Sequence, residues 1–183
     1  MYTTKDHFED IANFSQESTT IFHQKALKHG EILYEIGIKK AEDFLKGTKS
    51  KGLTILDWSF YDESEFTDGT SIKIQIFNPT NKTIKYVWFT FAGYNAVNDK
   101  IVDRKRGANI TMQGIGPIKP NELGTYNYDY VWFTDLVQTV KIISIKVQYM
   151  DGTIKLVTNP KEIIAPLEIQ ELLFEKESIN NEE

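Results

Sequence analysis

From residue 53 to residue 158 the chain alternates between apolar and polar side chains with a period of two, and turn residues interrupt that alternation at regular intervals. Leu53–Tyr61, Thr70–Asn78, Thr83–Val97, Asn109–Ile115, Thr125–Phe133, Val140–Tyr149 and Thr153–Thr158 are rich in Ile, Val, Thr, Tyr, Phe and Trp. Those residue types suit a pleated, half-buried surface, so each run is expected to be a strand. Asp68-Gly69, Asn78-Pro79-Thr80-Asn81, Gly116-Pro117 and Asp151-Gly152 supply the turn chemistry between them. About seven strands in about 105 residues predicts a mainly β fold, an immunoglobulin-like antiparallel β-sandwich. Asp151-Gly152 joins two runs directly, which predicts a type I′ hairpin.

Helical periodicity flanks this region. Over 16–46, Phe22, Ala26, His29, Leu33 and Ile36 recur at spacings of three and four. A second row, Leu27, Tyr34, Ile38, Ala41 and Leu45, widens the apolar face. Thr19 or Thr20 is the expected cap, and Gly47 the expected end. Pro166 suits a first helical position, and Leu167, Ile169, Leu172, Leu173 and Phe174 give a second, acidic helix. The expected organisation is a helical segment at 1–50, the sandwich at 51–160, and an acidic helix and tail at 161–183.

The strand region resembles a group of uncharacterised bacterial immunoglobulin-like or fibronectin-like domains. The likeness is carried by Asn78, Lys82-Thr83-Ile84-Lys85-Tyr86, Tyr94-Asn95-Ala96-Val97, Gly116-Pro117-Ile118, Trp132 and Tyr149-Met150-Asp151-Gly152. It covers about residues 70–158, neither flanking helix included. Asn98 stands where that pattern expects Gly before Asp99. The resemblance implies an accessory or interaction module without assigned catalysis.

Composition removes several function classes. The chain of 183 residues has no cysteine, which excludes disulfides, thiol catalysis and zinc–thiolate sites. No run approaches the roughly 18 apolar residues of a membrane-spanning helix. The formal charge of -5 is concentrated at the end, where residues 162–183 hold seven acidic side chains and one Lys. The rest is nearly neutral and has only Arg104 and Arg106 as arginines, which argues against nucleic-acid binding. The first residues lack a basic region followed by an apolar stretch, so a cytoplasmic location is expected. A chain trimmed of its leader would look the same, and a cell-surface location is the alternative.

Catalytic patterns fail their checks, and no enzyme activity and no cofactor is expected. His23 and His29 are six residues apart, about 240° around a helix, and cannot share a metal. His7 precedes them in the same segment, and no G-x-S-x-G elbow exists. Gly114 and Gly116 lead into Pro117 rather than a helix, which fails as a phosphate cradle. Asp62, Glu63, Glu65 and Asp68 form an acidic loop, a weak calcium candidate set against ordinary solvation of a hairpin. Lys100, Arg104, Lys105 and Arg106 form a basic loop interleaved with Asp99 and Asp103, also read as solvated.

The aromatic residues carry the functional expectation. Val87, Phe89 and Phe91 share one strand face, while Tyr86, Trp88 and Thr90 share the other, so both faces are apolar. Together with Phe77, Tyr86 and Trp88 define an outer contact face, to be covered by the N-terminal helix or by another chain, a second copy included. Tyr126, Tyr128, Tyr130 and Trp132 alternate on a further strand. That row is read as core packing between sheets, with a stacking platform for carbohydrate as the alternative. The expected function is a non-enzymatic structural or protein-interaction module, and the alternative is a carbohydrate-binding accessory domain.

Overall fold

A computed structural model of the chain describes residues 4–63 and 69–170, with only the backbone described for residues 4–18, 22 and 31. The elements run α1 (Thr4–Lys49), β1 (Thr54–Asp62), β2 (Thr70–Phe77), β3 (Ile84–Tyr94), β4 (Ile110–Ile118), β5 (Leu123–Trp132), β6 (Thr139–Tyr149) and β7 (Ile154–Val157). All sheet pairings among these strands are antiparallel. They form two sheets, one of order β1-β2-β5 and one of order β4-β3-β6-β7. Ile72, Ile74 and Ile76 of the first sheet and Val87, Phe89, Phe91, Ile145 and Val147 of the second are fully buried in a single shared core. The period of two therefore sorts residues as expected, because only one face of each sheet meets the other sheet.

Several boundaries shift for identifiable reasons. α1 begins at Thr4 and not near residue 16, so Thr19 and Thr20 lie inside it rather than capping it. It ends at Lys49, two residues past Gly47, and the backbone N–H groups of Lys51 and Gly52 close its last turn onto the Thr48 carbonyl. Gly52 has φ of 110° and passes beneath Tyr149, where a Cβ would stand 2.8 Å from the Tyr149 hydroxyl. β4 continues through Gly116-Pro117, a cis peptide, to Ile118. β3 stops at Tyr94, and the Asn95 side chain accepts hydrogen bonds from the N–H groups of Val97 and Asp99. Asn98 sits there at φ of 64°, a left-handed conformation that Asn tolerates in place of Gly.

The β6–β7 hairpin forms, but not with a type I′ turn. Gly152 N–H donates to the Tyr149 carbonyl at 3.0 Å, so Met150 and Asp151 are the central turn residues. Only Gly152, at φ of 82°, is left-handed there, the pattern of a three-residue loop closed by a glycine bulge.

The last turns of α1 pack on the outer side of the first sheet. Ala41 and Phe44 meet Leu56, Phe77 and Leu123, together with Ala165 and Ile169. A bulge between Ile55 and Asp57 makes this contact available, because it sends Ile55 into the core and Leu56 outward to the helix. Residues 163–165 run parallel to β1, exchanging hydrogen bonds with both backbone groups of Ile55. A helical turn follows at 167–170; the remainder of the expected acidic helix lies outside the described residues.

Candidate functional site

The three residues expected to share one contact face do not. Tyr86 and Trp88 lie on the outer side of the second sheet, whereas Phe77 belongs to the first and is covered by α1. Periodicity identifies which residues face outward but not which sheet a strand joins. Trp88 is half-buried without help from the helix: the Lys146 ammonium lies 3.9 Å from its ring centre, and Tyr86 tilts against it at 5.6 Å.

Of the Tyr126–Trp132 row, Tyr126, Tyr128 and Trp132 point inward. Tyr126 and Tyr128 pack against Phe89 of the opposite sheet, and Tyr128 also meets Phe91. The row is interrupted at Tyr130, whose φ of 51° accompanies the bulge between Thr70 and Ile72. Tyr130 instead stacks on Phe133 with rings 2° from parallel. Beyond the bulge both Val131 and Trp132 are buried, and the Trp132 ring lies over Gly93. Gly114 makes comparable room for Tyr126, since a Cβ there would stand 2.6 Å from its ring.

Burial raises the ionisation of Tyr126, Tyr128 and Tyr149 above the ordinary tyrosine range. A tyrosine with a raised folded-state pKa contributes full stability below the unfolded value of about 10 and loses it as pH rises toward the folded value. An alkaline titration at 295 nm is therefore expected to show these three tyrosines of nine ionising only as circular dichroism reports unfolding. Nine tyrosines titrating reversibly near pH 10 in the folded chain would contradict the packing described.

Of the acidic loop, Asp62 and Glu63 are described, while Glu65 and Asp68 lie outside the described residues. Glu63 accepts a hydrogen bond from the Ser71 hydroxyl at 2.9 Å, which ties the loop to β2. Among the described residues no group of three or more His, Cys, Asp or Glu side chains could hold a metal ion. His23 and His29 are exposed on α1, and the His7 side chain is not described. In the basic loop, Asp103 accepts hydrogen bonds from the backbone N–H groups of Arg106 and Lys105, which hold its carboxyl below the ordinary range. The Arg106 guanidinium then lies over the Phe133 ring, so this loop is internally organised.

Among the described residues, an exposed apolar surface lies on α1 ahead of its docked end. From Thr19 to Lys40 every residue whose side chain is described is exposed, apart from half-buried Gly37 and Ile38. Ile21, Leu27, Ile32, Leu33, Tyr34 and Ile36 are all more than 40% exposed, the range being 41–56%. The face that docks through Ala41 and Phe44 continues at helical spacing through Tyr34, Gly30, Leu27 and Ala26, which with His23 line an open cleft. The outer aromatic stripe thus does not receive the helix: among the described residues, α1 meets the sandwich through Ala41 and Phe44. No helix of the described residues is long and apolar enough to cross a membrane.

No family model matches the chain, and no curated protein does. Among solved structures, it is similar to the IrmA protein from Escherichia coli with a TM-score of 0.39 and 11% identity, covering 63% of this chain and 88% of that one. It is also similar to a target of the Northeast Structural Genomics Consortium with a TM-score of 0.35 and 14% identity, covering 60% of this chain and 83% of that one.

Proposed function

We propose that this protein is a non-enzymatic interaction module in which an immunoglobulin-like sandwich carries α1 as an arm that pairs with a second copy of the chain. The observation behind this reading is the uncovered apolar surface of α1 between Ile21 and Ile36. At about 1.5 Å per residue, the part of α1 preceding Ala41 extends roughly 55 Å. A polar helix of that length would be at ease in water, whereas exposed Ile and Leu side chains at this density favour association.

Charge selects the partner. Residues 4–20 carry one Lys against four carboxylates, while residues 21–40 carry four Lys against two. Two copies running antiparallel place the acidic half of each helix beside the basic half of the other, and a parallel pair sets like against like. The same sequence therefore supplies both sides of a two-fold symmetric contact. The strand order, β1-β2-β5 facing β4-β3-β6-β7, supports the immunoglobulin-like or fibronectin-like reading of the sandwich. The resemblance carried by Asn78 and Tyr149–Gly152, which shape turns, and by Gly116-Pro117, a cis peptide within β4, agrees with it.

Light scattering on a sizing column is expected to give a dimer for the full chain. Leu27→Gln with Leu33→Gln is expected to give a monomer with unchanged far-ultraviolet circular dichroism. A full chain that stays monomeric at about 100 μM, where contacts of ordinary strength are saturated, would end this reading.

A further inference from the structure

We propose a second, independent site: the cleft between the end of α1 and the β6–β7 hairpin binds a small organic molecule carrying two or more phosphate groups. The cleft encloses about 580 Å³ and draws Lys46 and Lys49 from the helix, Lys82 from the turn before β3, and Lys155 from β7. That volume falls within the range of small-molecule sites. No carboxylate is among its lining residues, whereas Ser50, Asn81 and Thr153 add neutral polar groups.

Two of the lysines are held from behind. Lys155 donates to the Ser50 carbonyl, and Lys82 donates to the Thr153 hydroxyl at 3.1 Å while pairing with Asp151 at 2.7 Å. The Tyr149 hydroxyl donates to the Gly52 carbonyl at 3.0 Å, which clamps the linker against the hairpin and sets the width of the cleft. Lys46 meets Glu42 and Asp43 only at 3.7 and 3.6 Å, on an exposed helix surface. Among the described residues no carboxylate pairs with Lys49 or Lys155.

Charge bookkeeping favours an anion of more than one charge. The carboxyl end of α1 contributes about half a negative charge. Asp151 offsets Lys82, which leaves Lys49 and Lys155 uncompensated and Lys46 only loosely so. Lysine ammoniums grip phosphate oxygens as point charges without demanding one planar geometry, and hydroxyl and amide groups beside them fix orientation. Ile154 and the lysine stems give the wall an apolar part, suited to an organic group between or beside the phosphates.

Calorimetric titration of the full chain with pyrophosphate and with ATP at constant ionic strength, with inorganic phosphate and heparin as comparisons, tests this directly. Saturable binding is expected, stronger for ATP than for inorganic phosphate. Lys49→Gln, a change at an exposed helix end, is expected to weaken it by about tenfold, and Lys49→Gln with Lys155→Gln further. Lys119→Gln, a lysine outside the cleft, is the control and should leave binding unchanged. No saturable heat with either probe would overturn the proposal. So would equal weakening by the control variant, or binding to heparin alone, because both would mean a diffuse field rather than a built site.

Discussion

Asn78→Ala is expected to destabilise the chain by about 3–5 kcal/mol, since several buried polar groups lose their partner together. Asn78 is fully buried at the end of β2. Its amide nitrogen donates to the carbonyls of Lys82, Ile118 and Lys119 at 2.9–3.0 Å, and its oxygen accepts from the backbone N–H and hydroxyl of Thr80. One side chain thus fastens the β2–β3 turn to the end of β4, joining the two sheets at one edge. Asn78→Asp separates shape from chemistry: it keeps the size but sets a carboxylate against three carbonyl oxygens, and should be at least as damaging. Urea unfolding of both variants gives the values. A loss below about 1 kcal/mol for Ala would mean that water or a rearranged turn replaces the side chain.

Trp132→Ala is expected to cost about 3–5 kcal/mol, the range for removing a large aromatic from a packed core. Trp132 is 1% exposed, and its ring covers Gly93 closely enough that a Cβ there would approach it to 3.0 Å. The indole N–H and the Tyr128 hydroxyl are buried without a hydrogen-bond partner among the described residues. Tyr128→Phe should therefore be neutral or stabilising, because it removes a desolvated hydroxyl and leaves the ring in place. The two variants together separate core from platform. An exposed aromatic that stacks on a sugar changes stability by less than about 0.5 kcal/mol when replaced. A small effect of Trp132→Ala in thermal and urea unfolding would reopen the carbohydrate reading.

The strands were legible because their signal is local. Ile72, Ile74 and Ile76 alternate with Lys73 and Gln75 in the sequence and in the structure alike, since a strand between core and solvent can satisfy that pattern in only one register. Alternation misled where the backbone departs from a period of two. Tyr130 and Trp132 were expected on one face with Tyr126 and Tyr128, but the bulge sets three residues of β5, Asp129 to Val131, against Ser71 alone, which turns Tyr130 outward beside Phe133 and keeps Trp132 in the core. Nothing near Tyr130 in the sequence announces this, for it is an aromatic residue at a positive φ, the reverse of ordinary preference. The bulge at Ile55 is equally silent, yet it decides where α1 docks.

By itself the sequence determined the number and order of strands, most of the turns between them, the helical nature of the N-terminal flank and the inward direction of most apolar residues. These follow from periodicity and turn chemistry, which act between residues a few positions apart. The tertiary structure decided which sheet each outer aromatic belongs to, that α1 meets Leu56 and Phe77 and leaves Trp88 to Lys146, and that four lysines converge on one cleft. Lys46 and Lys155 are more than a hundred positions apart in the chain. Their approach depends on the β6–β7 hairpin folding back beneath the linker at Gly52, a contact set by the packing of the whole sandwich and by no local pattern.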